Sequence, residues 1–215
     1  GIPWLLALWT PSAFRLGPFR WFGLRFVIYY LALSLAILPL LAPFTGRVPI
    51  QHTRGICPAW WGTPLLNRQY VKPEVNDLLQ NTAQYLEAQG SPVKLRYLDA
   101  NFPFIAGFPL LPHLSHDDGE KIDLSLIYET PEGDITTEQK STTGYGVFES
   151  PLPGEPNQPL QCAQQGYWQY QMARYFQLGR NRDPLIFSRK GTRDLLEALL
   201  QQPQLGKVFL EPHLK

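Results

Sequence analysis

The longest uninterrupted pattern in the chain is apolar. Phe26–Phe44 carries no charge, and its polar atoms are limited to Tyr29, Tyr30 and Ser34. At about 1.5 Å per residue the run reaches about 28 Å, close to the roughly 30 Å hydrocarbon core of a bilayer, so it predicts a transmembrane helix. Pro39 falls in its last third, where membrane helices tolerate a kink. Trp21, Phe22, Tyr29 and Tyr30 stand where an interfacial aromatic belt is expected. A second pattern, with Val75, Leu78, Leu79, Thr82, Tyr85 and Leu86 at helical spacing, predicts a helix over Pro73–Gln89 that Gly90 stops. A third is alternation: Val93–Leu98 and Lys121–Glu129 read as strands, the latter entered from an Asp-Gly turn.

The remaining pieces fill in around these. Pro131–Asp134 reads as a turn into Ile135–Glu138, making a hairpin with the preceding strand. Gln164–Gln177 and Thr192–Gln202, the latter capped by Thr192, read as helices; Pro184–Phe187 and Lys207–Leu210 read as short strands. Gly46–Pro64 is rich in Pro, Gly and aromatics and reads as a linker docked onto the domain. Ser141–Gln161, with its glycines and prolines, is a long aperiodic loop of the kind that often carries function, and its candidates for substrate contact are Tyr145 and Glu149. The fold class is α+β: a small antiparallel sheet with packed helices, preceded by an N-terminal transmembrane helix. The expected organisation is a cytoplasmic segment over 1–25, the span at 26–44, a linker over 45–72 and an extracytoplasmic domain over 73–215.

Basic residues set the orientation. Arg15, Arg20 and Arg25 precede the span while Arg47 and Arg54 follow it, a slight bias that leaves the N-terminal side in the cytoplasm. Ile2–Trp9 reads as the tail of an earlier span, which is consistent with that orientation. The main domain is therefore expected on the periplasmic face of a bacterial inner membrane, with lipid contacting residues 26–44. Net charge is +1 and charged residues make up 17%, with no basic tract, so nucleic acid is excluded as an expected partner. Cys57 and Cys162 can pair outside the cytoplasm, closing a long loop, or either can pair elsewhere; they lack zinc-ribbon spacing.

The candidate chemistry lies in His113-Leu-Ser-His116-Asp-Asp-Gly119-Glu-Lys-Ile-Asp123. Zinc takes three or four ligands from His, Asp, Glu and Cys. A turn folding back at Gly119, a residue that adopts φ > 0 without a Cβ clash, would bring His116 and Asp123 to one point. A water-facing polar turn has the same spacing, and short His/Asp patterns match by chance often.

The pattern H-x-S-H-x-x-G-x-x-x-D resembles the motif of the LAS-type metallopeptidases, the group that includes the D-Ala-D-Ala carboxypeptidases, and is nearest in form to the penicillin-insensitive murein endopeptidases. The resemblance implies that His116 and Asp123 bind Zn²⁺ and that His113 lies in the active site as a catalytic helper. It further implies a membrane-anchored hydrolase cutting amide bonds in peptidoglycan peptides. LAS-type enzymes finish their site with a C-terminal H-x-H or E-x-x-H element. Glu211-Pro-His213 is one residue short of the latter and also reads as a strand end before a helical turn, so the last ligand is expected beyond Lys215, with His213 as the other option. A non-catalytic envelope protein that keeps a degenerate metallopeptidase-like fold and binds a glycan or protein partner is the alternative.

Overall fold

The computed structural model describes residues 18–167 and 184–214. The predicted segment Ile2–Trp9 and most of the predicted helix Gln164–Gln177 lie outside them. The fold is α+β, with an N-terminal apolar helix followed by helices and three small sheets.

Helix α1 (Pro18–Ala32) continues through a π turn (Leu33–Ile37), an α turn (Leu38–Leu41) and a 3-10 turn (Ala42–Thr45). Trp21–Thr45 is long and apolar enough to cross a membrane, extending the expected span at both ends. The π turn immediately precedes Leu38-Pro39. A proline inside a helix has no N–H for the ladder and crowds the preceding turn, and a widened turn accommodates it. Leu24, Val27, Ile28, Leu35, Leu40 and Phe44 project outward.

Three short strands follow at once: β1 (Val48–Pro49), β2 (Ile56–Pro58) and β3 (Tyr70–Val71). The segment read as a linker over 45–72 is thus part of the fold. β1 pairs antiparallel with β3, and β2 runs parallel to β4 (Leu95–Asp99), with Cys57 opposite Arg96. Strands of two or three residues are too short to show a period of two, which is why composition alone suggested a linker.

Helix α2 (Pro73–Ala88) begins with Pro at its first turn and Glu74 near its positive end, and it buries Leu78, Leu79, Thr82 and Leu86. Those residues pack with Ile56, Val71, Leu95 and Tyr97 from the strands and Leu195, Ala198 and Leu199 from helix α4 (Arg189–Leu200). Removing a side chain as fully buried as Leu79 would cost about 2–5 kcal/mol. The α4 cap is Ser188, whose side chain accepts from the Gly191 amide, and not Thr192. Arg189 and Lys190 interrupt the apolar period and hide that first turn.

The predicted strand Lys121–Glu129 divides in two. β5 (Asp123–Leu124) pairs antiparallel with β4, while β6 (Tyr128–Glu129) lies between β7 (Ile135–Thr136) and β8 (Ile186–Phe187) in another sheet. The side facing the core changes at the break: Ile122 and Leu124 pack against the core in the first half, and Ile127 does so in the second. The hairpin through Glu132 and Gly133 forms as expected, with Tyr128 opposite Thr136. Helix α3 (Gln158–Gln164), capped by the Asn157 side chain, shortens the predicted loop. Lys207–Leu210 forms no strand. Cys57 and Cys162 are both unpaired, and Cys57 accepts from the Arg96 guanidinium at 2.8 Å.

Candidate metal centre

The site is built on β4 and the loop that returns from it. Asp99 and Asp123 are register partners across the β4–β5 pair, at a bulge between Tyr97 and Asp99. Like charges directly opposite on a sheet repel. Cationic and donor groups must therefore gather here.

The loop between them supplies two. Asn101 pins it, accepting from the Gly119 amide (3.1 Å) and donating to the Lys121 carbonyl (3.0 Å). Gly119 takes φ +83°, the left-handed turn that its sequence position predicts. A Cβ there would meet the Arg47 guanidinium at 2.8–2.9 Å. The fold-back brings His116 Nε2 to 3.2 Å from Asp123 Oδ1.

His116 is buried, and its Nδ1 donates to the Ala100 carbonyl (2.8 Å). That bond keeps the Nδ1 proton in place and turns Nε2 towards Asp123: the protonated ring donates to the carboxylate from Nε2, and the neutral ring has there the lone pair that a metal would take. His113 Nδ1 lies between two carboxylates, 2.9 Å from Asp99 Oδ2 and 3.4 Å from Asp123 Oδ2. One ligand atom from each of His113, His116 and Asp123 lies within 4.8 Å of the others. Bonds of about 2.0–2.1 Å around a tetrahedral zinc put neighbouring ligand atoms about 3.3 Å apart, so the His116–Asp123 separation matches one edge of such a site.

Sequence reasoning missed two members of the cluster. Asp99 is almost wholly buried and is held by Arg68 through Nε (2.8 Å) and a second, shorter bond from Nη2. Asp99 had a signal, as a carboxylate closing an apolar strand; Arg68 had none, because it arrives from the segment read as linker. Tyr145, expected as a substrate contact, instead donates from its hydroxyl to Asp123 Oδ2 at 2.6 Å. Gly144 and Gly146, both at positive φ, flank it, and Ser141 Oγ donates to its carbonyl, so the loop turns tightly and aims the ring into the cluster. Glu149 lies elsewhere, in an ion pair with Lys140 at 2.7 Å.

The electrostatics follow from this geometry. Burial pulls the His116 pKa down, but the Asp123 carboxylate and the Ala100 carbonyl outweigh it, and the net shift is upward. For Asp123 burial pushes upward, and hydrogen bonds from His116 and Tyr145 turn the net shift downward. Burial, then the neighbouring Asp123 charge, raises the Tyr145 phenol, which stays protonated as a donor. Arg68 is raised by its hydrogen bonds to Asp99. The cluster is thus two carboxylates, one cancelled by Arg68, facing two imidazoles.

His213 does not join this group. It is buried, and its Nε2 donates to the Glu149 carbonyl at 2.9 Å. The third ligand atom that converges on His116 and Asp123 among the described residues comes from His113 instead. An open groove reaches the cluster at His116, Asp123 and Tyr145, and its lining includes Leu195, Leu199 and Val208.

No family model matches the chain. No solved structure matches it either. It is similar over 77 residues, at 31% identity, to the cell division protein ZipA of Haemophilus influenzae; the match covers 36% of this chain and 23% of ZipA. The apolar N-terminal helix and this partial likeness are both consistent with an envelope protein of the inner membrane.

Proposed function

We propose that the chain is a membrane-anchored, zinc-dependent hydrolase of LAS metallopeptidase type, with its main domain on the periplasmic side, cutting amide bonds in peptidoglycan peptides. The observation that carries this reading is the convergence of His116 Nε2, Asp123 and His113, with the His116 tautomer held by the Ala100 carbonyl. The donor set suits zinc: two imidazoles and one carboxylate leave a fourth position open, the arrangement of catalytic sites. Bound zinc lowers the pKa of its water towards neutrality and polarises the scissile carbonyl.

The protein's own groups have separable tasks. Asp123 ligates as the carboxylate that its lowered pKa favours. Asp99 and Arg68 orient His113. The Tyr145 hydroxyl is placed to hydrogen-bond a developing oxyanion or to hold Asp123 in position. The apolar-walled groove supplies room for an extended peptide.

The test is zinc content and hydrolysis of cross-linked muropeptides by the full-length chain in lipid nanodiscs. His116→Ala and Asp123→Asn are expected to lose both while keeping the thermal unfolding transition. A variant that keeps both overturns the reading.

One observation favours the alternative, a non-catalytic envelope protein that binds a glycan or protein partner. Asp99, Asp123 and both imidazoles already satisfy one another together with Arg68 and Tyr145, so the cluster also serves as a self-sufficient polar network that rigidifies the fold. The ZipA likeness supports a cell-division or envelope setting for either reading. Glycan or partner binding that persists in His116→Ala, with no hydrolysis by the parent chain, would select the alternative.

A further inference from the structure

The anchor helix meets the domain halfway along its length rather than at its end. Tyr30 donates from its hydroxyl to the Leu65 carbonyl (2.5 Å), and Asn67 Nδ2 donates to Ser34 Oγ (2.9 Å). Ser34 and Asn67 are both buried by this contact, and Asn67 adopts φ +58° to make it. From Ser34 to Thr45 the helix advances about 16 Å at about 1.5 Å per residue, which is half the thickness of a hydrocarbon core of about 30 Å. With the helix across a bilayer, the turn that touches Ser34 lies inside the membrane.

The turn is built for that environment. Gly55–Asn67 contains no charge. Trp60, Trp61, Leu65 and Leu66 project from it, exposed to solvent. Its backbone is internally bonded, with Thr63 N to Trp60 O, Leu66 N to Gly62 O and Asn67 N to Pro64 O, and the Leu65 carbonyl is met by Tyr30. Its one hydroxyl, Thr63 Oγ1, donates to the Leu98 carbonyl. Irregular backbone enters hydrocarbon only when its polar groups are satisfied in this way.

A second loop lies beside it. Phe102–Pro112 is also uncharged, and its Pro103 carbonyl accepts from Thr45 Oγ1 at the end of the helix. Phe104, Ile105, Phe108 and Leu111 are exposed, although the Phe104 and Phe108 rings meet at a tilt, 4.7 Å between centroids. Arg68 ties the two loops together, donating to the Leu111 carbonyl (2.8 Å) from the residue after Asn67. The apolar surface is thus continuous with the span itself, and a contiguous patch of this kind marks an interaction site.

We infer that the Trp60–Leu66 turn and the Phe104–Leu111 loop insert into the bilayer beside the anchor helix, so that the domain is embedded in the lipid surface rather than tethered above it. The occupant of this face is phospholipid. Arg68 and the Asp99 it holds then stand directly behind the inserted face. The inference needs only the membrane span and is independent of zinc.

The test places an environment-sensitive NBD label on the full-length chain in phosphatidylethanolamine–phosphatidylglycerol vesicles. Leu65→Cys, Ile105→Cys and Leu111→Cys are each labelled in a Cys57→Ser, Cys162→Ser background, with Glu132→Cys in the β6–β7 turn as the reference. Leu65, Ile105 and Leu111 are 47%, 68% and 69% exposed, so the labels do not disturb packing, and loss of one variant leaves the other two. Labels at all three positions are expected to be quenched several-fold more by doxyl-labelled lipid than by aqueous iodide, with the Glu132 label showing the reverse. Iodide quenching at 65, 105 and 111 equal to that at 132 overturns the inference. Shielding from both quenchers would mean that a second protein copy covers the face, and overturns it equally.

Discussion

Arg47, the first charged residue after the apolar span, donates from its guanidinium to the Asp117 carbonyl at 2.9 Å and is buried under the loop that carries His116. Gly46 turns the chain out of the helix, and Arg47 then passes below Gly119, close enough that no Cβ fits between them. The apolar N-terminal helix and the candidate metal loop are therefore one packed unit. Burial lowers the Arg47 pKa while Asp118 and Asp117 raise it, and the net shift is downward. The guanidinium keeps its charge throughout the physiological range because the starting value is so high.

The tight fit makes Gly119→Ala informative. The substitution adds a Cβ at φ +83° and against the Arg47 side chain. A left-handed alanine costs about 1–2 kcal/mol, and the displaced guanidinium adds to it. The expected result is a lower melting temperature together with zinc affinity reduced at least tenfold, because the loop no longer returns Asp123 to His116. Calorimetric unfolding and a zinc titration on the same sample check it. Unchanged affinity with lowered stability would show that the turn does not set the ligand geometry.

Asp99→Ala separates stability from chemistry. It removes the partner of Arg68, whose side chain is 18% exposed, and leaves a largely buried charge. The expected loss is about 2–4 kcal/mol, a little below the figure for a fully enclosed pair because water reaches part of the guanidinium. Asp99→Ala combined with Arg68→Leu should recover much of it, measured by urea unfolding. Activity should not recover in the double variant, since His113 has lost the carboxylate at its Nδ1.

How far the sequence could show this site depended on how far apart its members are in the chain. The period of Val75, Leu78, Leu79, Thr82 and Leu86 reveals α2, because a helix records its buried face over sixteen residues. Gly119 and the His116–Asp123 spacing are equally local, and the structure places those two side chains 3.2 Å apart. Asp99, Arg68 and Tyr145 reach the cluster through strand register, an ion pair and a loop of irregular backbone, none of which leaves a periodic trace. The three strands of residues 48–71 failed to register for the same reason: β2 is defined by what it lies beside in β4, not by its own three residues.

Tyr145→Phe should leave the fold nearly intact. The ring stays against His113, at 5.0 Å between centroids, and only the hydroxyl bonded to Asp123 is lost. The expected stability loss is about 1–2 kcal/mol, as for one hydrogen bond to a charged acceptor. Zinc stoichiometry should be retained. If the hydroxyl serves an oxyanion, kcat for muropeptide hydrolysis should fall about 10²-fold or more with little change in KM. A KM effect alone would place Tyr145 in substrate binding.

Proton and metal should compete at His116, and the sign of the pH dependence tells them apart. Its folded pKa lies above the ordinary 6.5, through the Asp123 carboxylate, despite burial acting the other way. Without metal, the stabilisation from the His116–Asp123 pair is therefore fully present below pH 6.5 and is lost as pH rises through the raised folded value. Asp123, with its pKa held below the ordinary 3.8, sets the acid limit: its contribution is present above that value and disappears as pH falls through the lowered one. Chelator-treated protein should thus melt highest in mildly acidic buffer and lower at pH 8. Zinc requires neutral imidazole, so its binding must release the His116 proton and strengthen as pH rises. Melting curves at pH 5.5 and pH 8, with chelator and with zinc, are expected to cross: the increment from zinc should be small at the lower pH and several degrees at the higher. An increment that is the same at both would mean that zinc does not bind through His116.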